Sequence, residues 1–215
     1  MTLPEAYEYT RINAPKVIHL SGKTSTGKST FANKLAEDYN YAVIKLDHVV
    51  KESVMPHYSL KDEGETFIEV YKNRNNIAWI DQFLTATENE ARTYMDSGRS
   101  IILDGAISNP ITLASLLNRL PKGVIFFFHP AKTENYIRNL TNRFKESSAT
   151  NNAGLPLGFW KMVDKNAYQG YLDNSVISPK LANAIRTYAT KSQQGSSVRL
   201  HILQQNFDNV LVVEI

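Results

Sequence analysis

Residues 19–30 read HLSGKTSTGKST, a short apolar lead followed by two glycines, two lysines and a run of hydroxyl side chains. Within it, Gly22-x-x-x-x-Gly27-Lys28-Ser29 has the spacing of a phosphate-binding loop. Glycines admit backbone conformations closed to other residues, so successive amide N–H groups can point into one concavity at a helix N-terminus and meet phosphate oxygens. In such a turn Lys28 would bridge the outer phosphates and the Ser29 hydroxyl would ligate magnesium. Lys23, Thr24, Ser25, Thr26 and Thr30 complete the candidate set, although hydroxyls are also ordinary turn residues.

Two carboxylates extend the pattern. Asp104 ends the run SIILD, where a sheet presents its carboxyl edge, and is expected to coordinate magnesium; the alternative is an aspartate that starts a turn before Gly105. Asp47 ends VIKLD in the same way and is expected to take the proton from an acceptor hydroxyl, unless it caps the following helix. His48 and His57 come next in the chain, where a lone histidine is more often packed or solvated than catalytic. In TENYIRNLTNRFKES, helical spacing buries Tyr136, Ile137, Leu140 and Phe144 and puts Arg143 on the flank of that face, with Arg138 nearly opposite. Arg143 is therefore the candidate to reach a transferring phosphate with its guanidinium fork, and a surface ion pair is its alternative.

Elements must position these groups. Apolar runs at 16–20, 41–46, 100–105, 123–128 and 209–215 have strand length and continuous hydrophobicity, and helix-length segments separate them. That alternation predicts a parallel sheet covered on both faces, an α/β fold. Asn109-Pro110 and Ser178-Pro179 open helices, and Gly98 and Gly195 read as helix exits. One domain over 1–215 is expected. The surplus between the second and third strands, 48–99, is a candidate substrate cap, with a long helix turning Ile77, Ile80, Phe83 and Leu84 inward. Residues 147–170 mix small polar residues with Phe159, Trp160 and Tyr168 and read as a lid or a long surface loop.

Composition narrows the function classes. The 215-residue chain is 42% hydrophobic and 21% charged, near ordinary globular usage. A net charge of +3 without a basic run gives no reason to expect a nucleic-acid polymer or an acidic membrane as partner. With no cysteine there is no disulfide framework, thiolate metal site or thiol nucleophile. The first residues show no apolar signal core and no run reaches membrane-spanning length, so a cytoplasmic protein is expected.

Taken together, GKTSTGKST, the LD after the second strand, the ILDG after the third and the arginine-bearing helix before a lid-like stretch resemble the P-loop small-molecule kinases. That group includes nucleoside, nucleoside-monophosphate and shikimate-type kinases. The resemblance implies a three-layer P-loop NTPase fold with sheet order 2-3-1-4-5, ATP and magnesium as cofactors, and a catalytic acid at Asp47 as in uridine-kinase-like members. It also implies phosphate transfer to a small acceptor, a nucleoside or nucleotide first. Alternatives are a sugar, antibiotic or sugar-nucleotide acceptor, as for toxin kinases that phosphorylate activated sugars, and a nucleotide-binding regulatory protein. Since the last apolar run, NVLVVEI, reaches residue 215, the adenine-contacting loop that many nucleotide kinases place after their last strand is not expected, and base recognition is expected to come from elsewhere or be weak. No NKxD or DxxG motif of a signalling GTPase occurs.

Overall fold

The computed structural model describes residues 1–54, 56, 76–105, 107, 109–149, 155 and 157–215. His57 and much of the candidate cap lie outside the described residues. Five parallel strands form one sheet in the order β2-β3-β1-β4-β5, the order expected. They are β1 (Val17–Gly22), β2 (Ala42–Lys45), β3 (Ile101–Asp104), β4 (Val124–His129) and β5 (Val210–Glu214). Parallel neighbours require crossovers, and the helices supply them. In chain order these are α1 (Leu3–Asn13), α2 (Lys28–Tyr39), α3 (Leu46–Val49) running into a π-helical turn (Val50–Val54), and α4 (Ile77–Asp96). After these come α5 (Pro110–Asn118), α6 (Thr133–Ala149), α7 (Leu157–Trp160), α8 (Lys165–Asn174) and α9 (Pro179–Asn206).

Both sheet faces are covered, which explains the unbroken apolar runs. On one face Ile18, Leu20, Ile102, Phe126 and Phe128 pack with Phe31, Ala32 and Leu35 of α2 and Ala6 of α1. On the other, Val17, Ile101, Leu103, Ile125 and Phe127 pack with Phe83 and Leu84 of α4, Leu113 and Leu116 of α5, and Leu203 of α9. A separate apolar cluster joins Tyr136, Leu140 and Phe144 of α6 to Leu155, Phe159, Tyr171 of α8, and Leu181, Ile185 and Ala189 of α9.

Several expectations are corrected. Gly195 does not end a helix: α9 runs on to Asn206, and the glycine sits in its interior. Ile77 is 84% exposed because it is the first residue of α4, one turn before packing begins at Ile80. The second strand stops at Lys45, so Asp47 lies in the helical turn that follows instead of at a strand end. The described part of 147–170 is not a surface loop. Phe159 is buried against Phe144 and Trp160, and Tyr168 meets those two rings in turn; these contacts are tilted or edge-on with centroids 5.1–6.1 Å apart and fix α7 and the start of α8 against α6. Residues 150–154 and 156 lie outside the described set.

Helix α1 carries a capping box in which Thr2 accepts from the Glu5 amide and Glu5 from that of Thr2, with Pro4 in the first turn. The Met1 ammonium donates to Val212 O at 2.9 Å and Glu214 N donates to Met1 O, so the chain start lines the outer edge of β5. Among the described residues no helix is long and apolar enough to cross a membrane.

Candidate active site

Sheet register assembles the site before any side chain is considered. Leu20 of β1 and Lys45 of β2 both pair with Asp104, so the three strand ends lie side by side at the carboxyl edge. Two residues past Leu20 the chain turns at Gly22, whose φ is +131°. A Cβ there would lie 2.5 Å from Phe128 O, so only glycine lets β1 pass β4 and enter the loop. The loop closes at Gly27, φ +83°, which stands at the N-cap of α2 and exposes that helix's first amides. Beside it, a Cβ on Gly105 would meet Leu46 Cβ at 2.8 Å, so the turn bearing Asp47 presses on the turn that follows Asp104.

An open cleft of about 1170 Å³ lies above this edge. It is lined by Gly22, Thr24, Ser25, Thr26, Gly27, Lys28, Ser29 and Thr30 from the loop, by Asp47 and His48, by Asp104 and Gly105, and by Arg143. The residues read from the sequence thus converge on one space, with Lys23 as the exception. Its carbonyl accepts from Lys28 Nζ at 2.6 Å and from Thr26 Oγ1 at 2.7 Å, and its side chain turns away from the cleft. Arg138 does not line the cleft either and bonds Asn135 on the outer surface. His48 reaches the cleft while pairing with Glu52 at 2.9 Å.

Electrostatics follow from burial and crowding. Desolvation lowers the Lys28 ammonium to about 8; Arg143 and Arg199 push the same way, and Asp104 and Asp47 oppose them. Burial, and then Asp104, raise the Asp47 carboxyl above the ordinary aspartate value, with Lys28 pulling it back. A raised carboxyl is the more basic one, as proton acceptance asks. Asp104 is 9% exposed. Its carboxylate and the Ser29 hydroxyl are hard oxygen donors on the same cleft, a set that fits magnesium, which is commonly held by one or two carboxylates plus substrate phosphates.

Other lining residues escaped the sequence reading: Lys45, Lys51, Asn139, Asn142 and Glu146. The last two, with Asn139 and Arg143, form an i, i+3, i+4, i+7 stripe on α6 that flanks the buried face of Tyr136, Leu140 and Phe144. That polar stripe is visible in the sequence once the apolar one is drawn.

A glycine loop that closes on a helix N-terminus, at the edge of a sheet ordered 2-3-1-4-5, defines the P-loop NTPase fold, of the kind kinases use. Residues 3–148 match the family model described as Zeta toxin, and the chain belongs to that family. No curated protein matches the chain in sequence. Similar solved structures include TT1252 from Thermus thermophilus (12% identity, 94% of this chain and 88% of that one, TM-score 0.45). Others are shikimate kinase from Acinetobacter baumannii in complex with shikimate (16%, 89% and 94%, 0.36) and deoxyadenosine kinase from M. mycoides with bound dATP (15%, 92% and 89%, 0.40).

Proposed function

We propose that the protein is an ATP-dependent phosphotransferase that moves the γ-phosphate to a hydroxyl of a small acceptor. The observation that carries this reading is the meeting of Lys28, Ser29, Asp104, Asp47 and Arg143 on one cleft at the carboxyl edge of the sheet. In this account the loop amides and Lys28 hold the phosphates of ATP, and Ser29 and Asp104 would hold magnesium, which would supply charge neutralisation at the transferring group. The acceptor oxygen forms its bond to the γ-phosphorus as the bond to ADP breaks, and its proton passes to the Asp47 carboxylate. Arg143 stabilises the charge gathered on the phosphoryl oxygens. Residues 48–99 act as the acceptor cap and 147–170 as the lid of a single domain.

A nucleoside or nucleotide is the first acceptor class. Membership of a toxin family favours a second, the activated sugar of a toxin-kinase-like enzyme. Both are tested by ADP release from magnesium–ATP over a panel of nucleosides, nucleotides, sugars and sugar nucleotides. Release is expected with one acceptor class and is expected to fall about 10³-fold in Lys28→Ala, the scale for losing a charged group on the transferring phosphate. Tight nucleotide binding with no release for any acceptor would contradict transfer and leave a nucleotide-binding regulatory protein.

A further inference from the structure

Lys23, the first residue after β1, points two ways. Its carbonyl turns into the phosphate loop, where it accepts from Lys28 Nζ at 2.6 Å and from Thr26 Oγ1 at 2.7 Å. Its side chain turns away from the cleft and ends on α9. A Cβ built on Gly195 would lie 3.3 Å from Lys23 Nζ and 3.8 Å from its Cε, and outside α9 no other atom of the described residues comes within 4 Å of it. The end of the lysine stem therefore occupies the space that a side chain at 195 would take. Glycine is disfavoured in a helix interior, and this one lies well inside the 28-residue α9 without a left-handed φ to require it. The stem of Lys23 supplies a physical reason for it.

Sheet register puts this seat beside the entrance to the loop. Gly22 pairs with Phe128, so Lys23 comes level with His129, and His129 Nδ1 lies 3.2 Å from Ser196 Oγ, the residue after Gly195. Two residues before the glycine, Gln193 Nε2 donates to the Pro130 carbonyl at 2.9 Å, and Gln193 Oε1 accepts from the Thr133 hydroxyl at 2.7 Å. Polar contacts on both sides of Gly195 thus fasten α9 to the end of β4 and the start of α6. The loop itself is a backbone that gains from an outside anchor. Gly22 and Gly27 both take positive φ, and Ser25 between them stands at +63°, a conformation that costs a residue with a Cβ. Holding such a turn in place before a ligand arrives lowers the ordering cost of binding.

We propose that Lys23 is a positioning residue of the phosphate loop and Gly195 its seat: α9 holds the Lys23 stem, and the stem fixes the peptide whose carbonyl keeps Lys28 and Thr26 arranged to receive phosphate. Lys23 touches no reacting atom and acts through Lys28. The meaning of the seat for phosphate transfer rests on the phosphotransferase reading; its existence does not.

Two measurements on the full chain test it. In the empty protein, backbone amide order parameters from NMR relaxation should be near the rigid value of about 0.85 for residues 23–27 and fall toward about 0.6 in Gly195→Leu, with those of α2 unchanged. Magnesium–ATP affinity, read by calorimetry, should fall about 3- to 10-fold in the same variant, the scale of ordering one long side chain on binding. Leucine is the better helix former and leaves every charge in place, so the urea midpoint should hold or rise while affinity falls, a divergence that a merely structural role would not give. Lys23→Ala should lose at least as much affinity. Lys23→Met, which keeps an unbranched stem without the charge, should recover most of that loss. Lys23→Ala/Gly195→Leu should lose no more than Lys23→Ala alone, because both substitutions act on one contact. Wild-type affinity in Gly195→Leu, with or without a loosened loop, or additive losses in the double variant, would overturn the proposal. Should Gly195→Leu not fold, equal affinity and equal loop order in Lys23→Ala and Lys23→Met would overturn it as well. If the wild type does not bind magnesium–ATP, the phosphotransferase reading fails by itself, and the order parameters still decide the seat.

Discussion

The two faces of β1 are equally buried and do different work. Ile18 and Leu20 meet a cluster of aromatic rings, Phe31 of α2 lying edge-on to Phe126 and Phe128 at 5.7 and 5.5 Å and Tyr9 edge-on to Phe126 at 5.8 Å. His19 and Ser21 point to the other face, the one covered in part by Leu203 of α9, where on the neighbouring strand His129 Nδ1 lies 3.2 Å from Ser196 Oγ. The first face clamps the helix whose N-terminus is proposed to receive phosphate, so the loop is held from below by dispersion and excluded water. The second retains polar groups in the interior, which stability alone would not select. The contrast separates scaffold from chemistry within one six-residue strand.

The contrast breaks most visibly at Phe126. Phe126→Ala should cost about 3–5 kcal/mol in urea unfolding, the usual scale for a buried aromatic. A loss below about 1 kcal/mol would mean the aromatic face does not anchor α2. His19→Leu on the opposite face removes buried polar atoms that have no hydrogen-bond partner among the described residues, at similar volume, so stability should stay within about 1 kcal/mol of wild type or rise. A large destabilisation would reveal a partner for the ring.

A smaller effect sharpens the electrostatic side. The Lys28 pKa is held near 8 while the site is empty, and nucleotide phosphates favour the charged form. Nucleotide binding at about pH 8.5 should therefore take up a fraction of a proton, and at pH 6.5 almost none, read by calorimetry in two buffers of different ionisation heat. Release, or no exchange at either pH, would contradict the buried-ammonium account. From about 8 to the ordinary value of 10.5 the unfolded chain holds more protons at this residue, so stability of the empty protein rises with pH across that window on its account.

Much of this was legible in the sequence because it was written in local terms. The phosphate loop needs glycines at fixed spacing between a strand and a helix, crossovers make the sheet parallel, and its order was implied by the resemblance to the P-loop kinases. Asp104 and Arg143 were reached by strand-end and helix-face arguments. What escaped depended on contacts distant in sequence. Gly195 read as a stop because glycine usually is one; Lys23, 172 positions earlier, explains it. Lys45 looked like part of an apolar strand, yet its pairing with Asp104 puts it at the cleft. Arg199 carried no local signal, since its relation to Ile107 and Lys28 exists only after α9 folds across the sheet. Helix α1 was marked by Thr2, Pro4 and Glu5, a capping signature that a search for an apolar leader passes over.

The central claim is that the two carboxylates at the sheet edge divide the work, Asp104 holding magnesium and Asp47 taking the acceptor proton. The most direct measurement compares Asp47→Asn with Asp104→Asn, each titrated with magnesium–ATP and then assayed for transfer to the acceptor that the panel identifies. Asp47→Asn should keep nucleotide and magnesium affinity and lose transfer by about 10²-fold or more, the usual contribution of a general base. Asp104→Asn should raise the magnesium concentration needed for binding and for transfer alike. Wild-type transfer in Asp47→Asn, or loss of its nucleotide affinity in step with activity, would contradict the division and make Asp47 a helix-turn residue or a metal ligand.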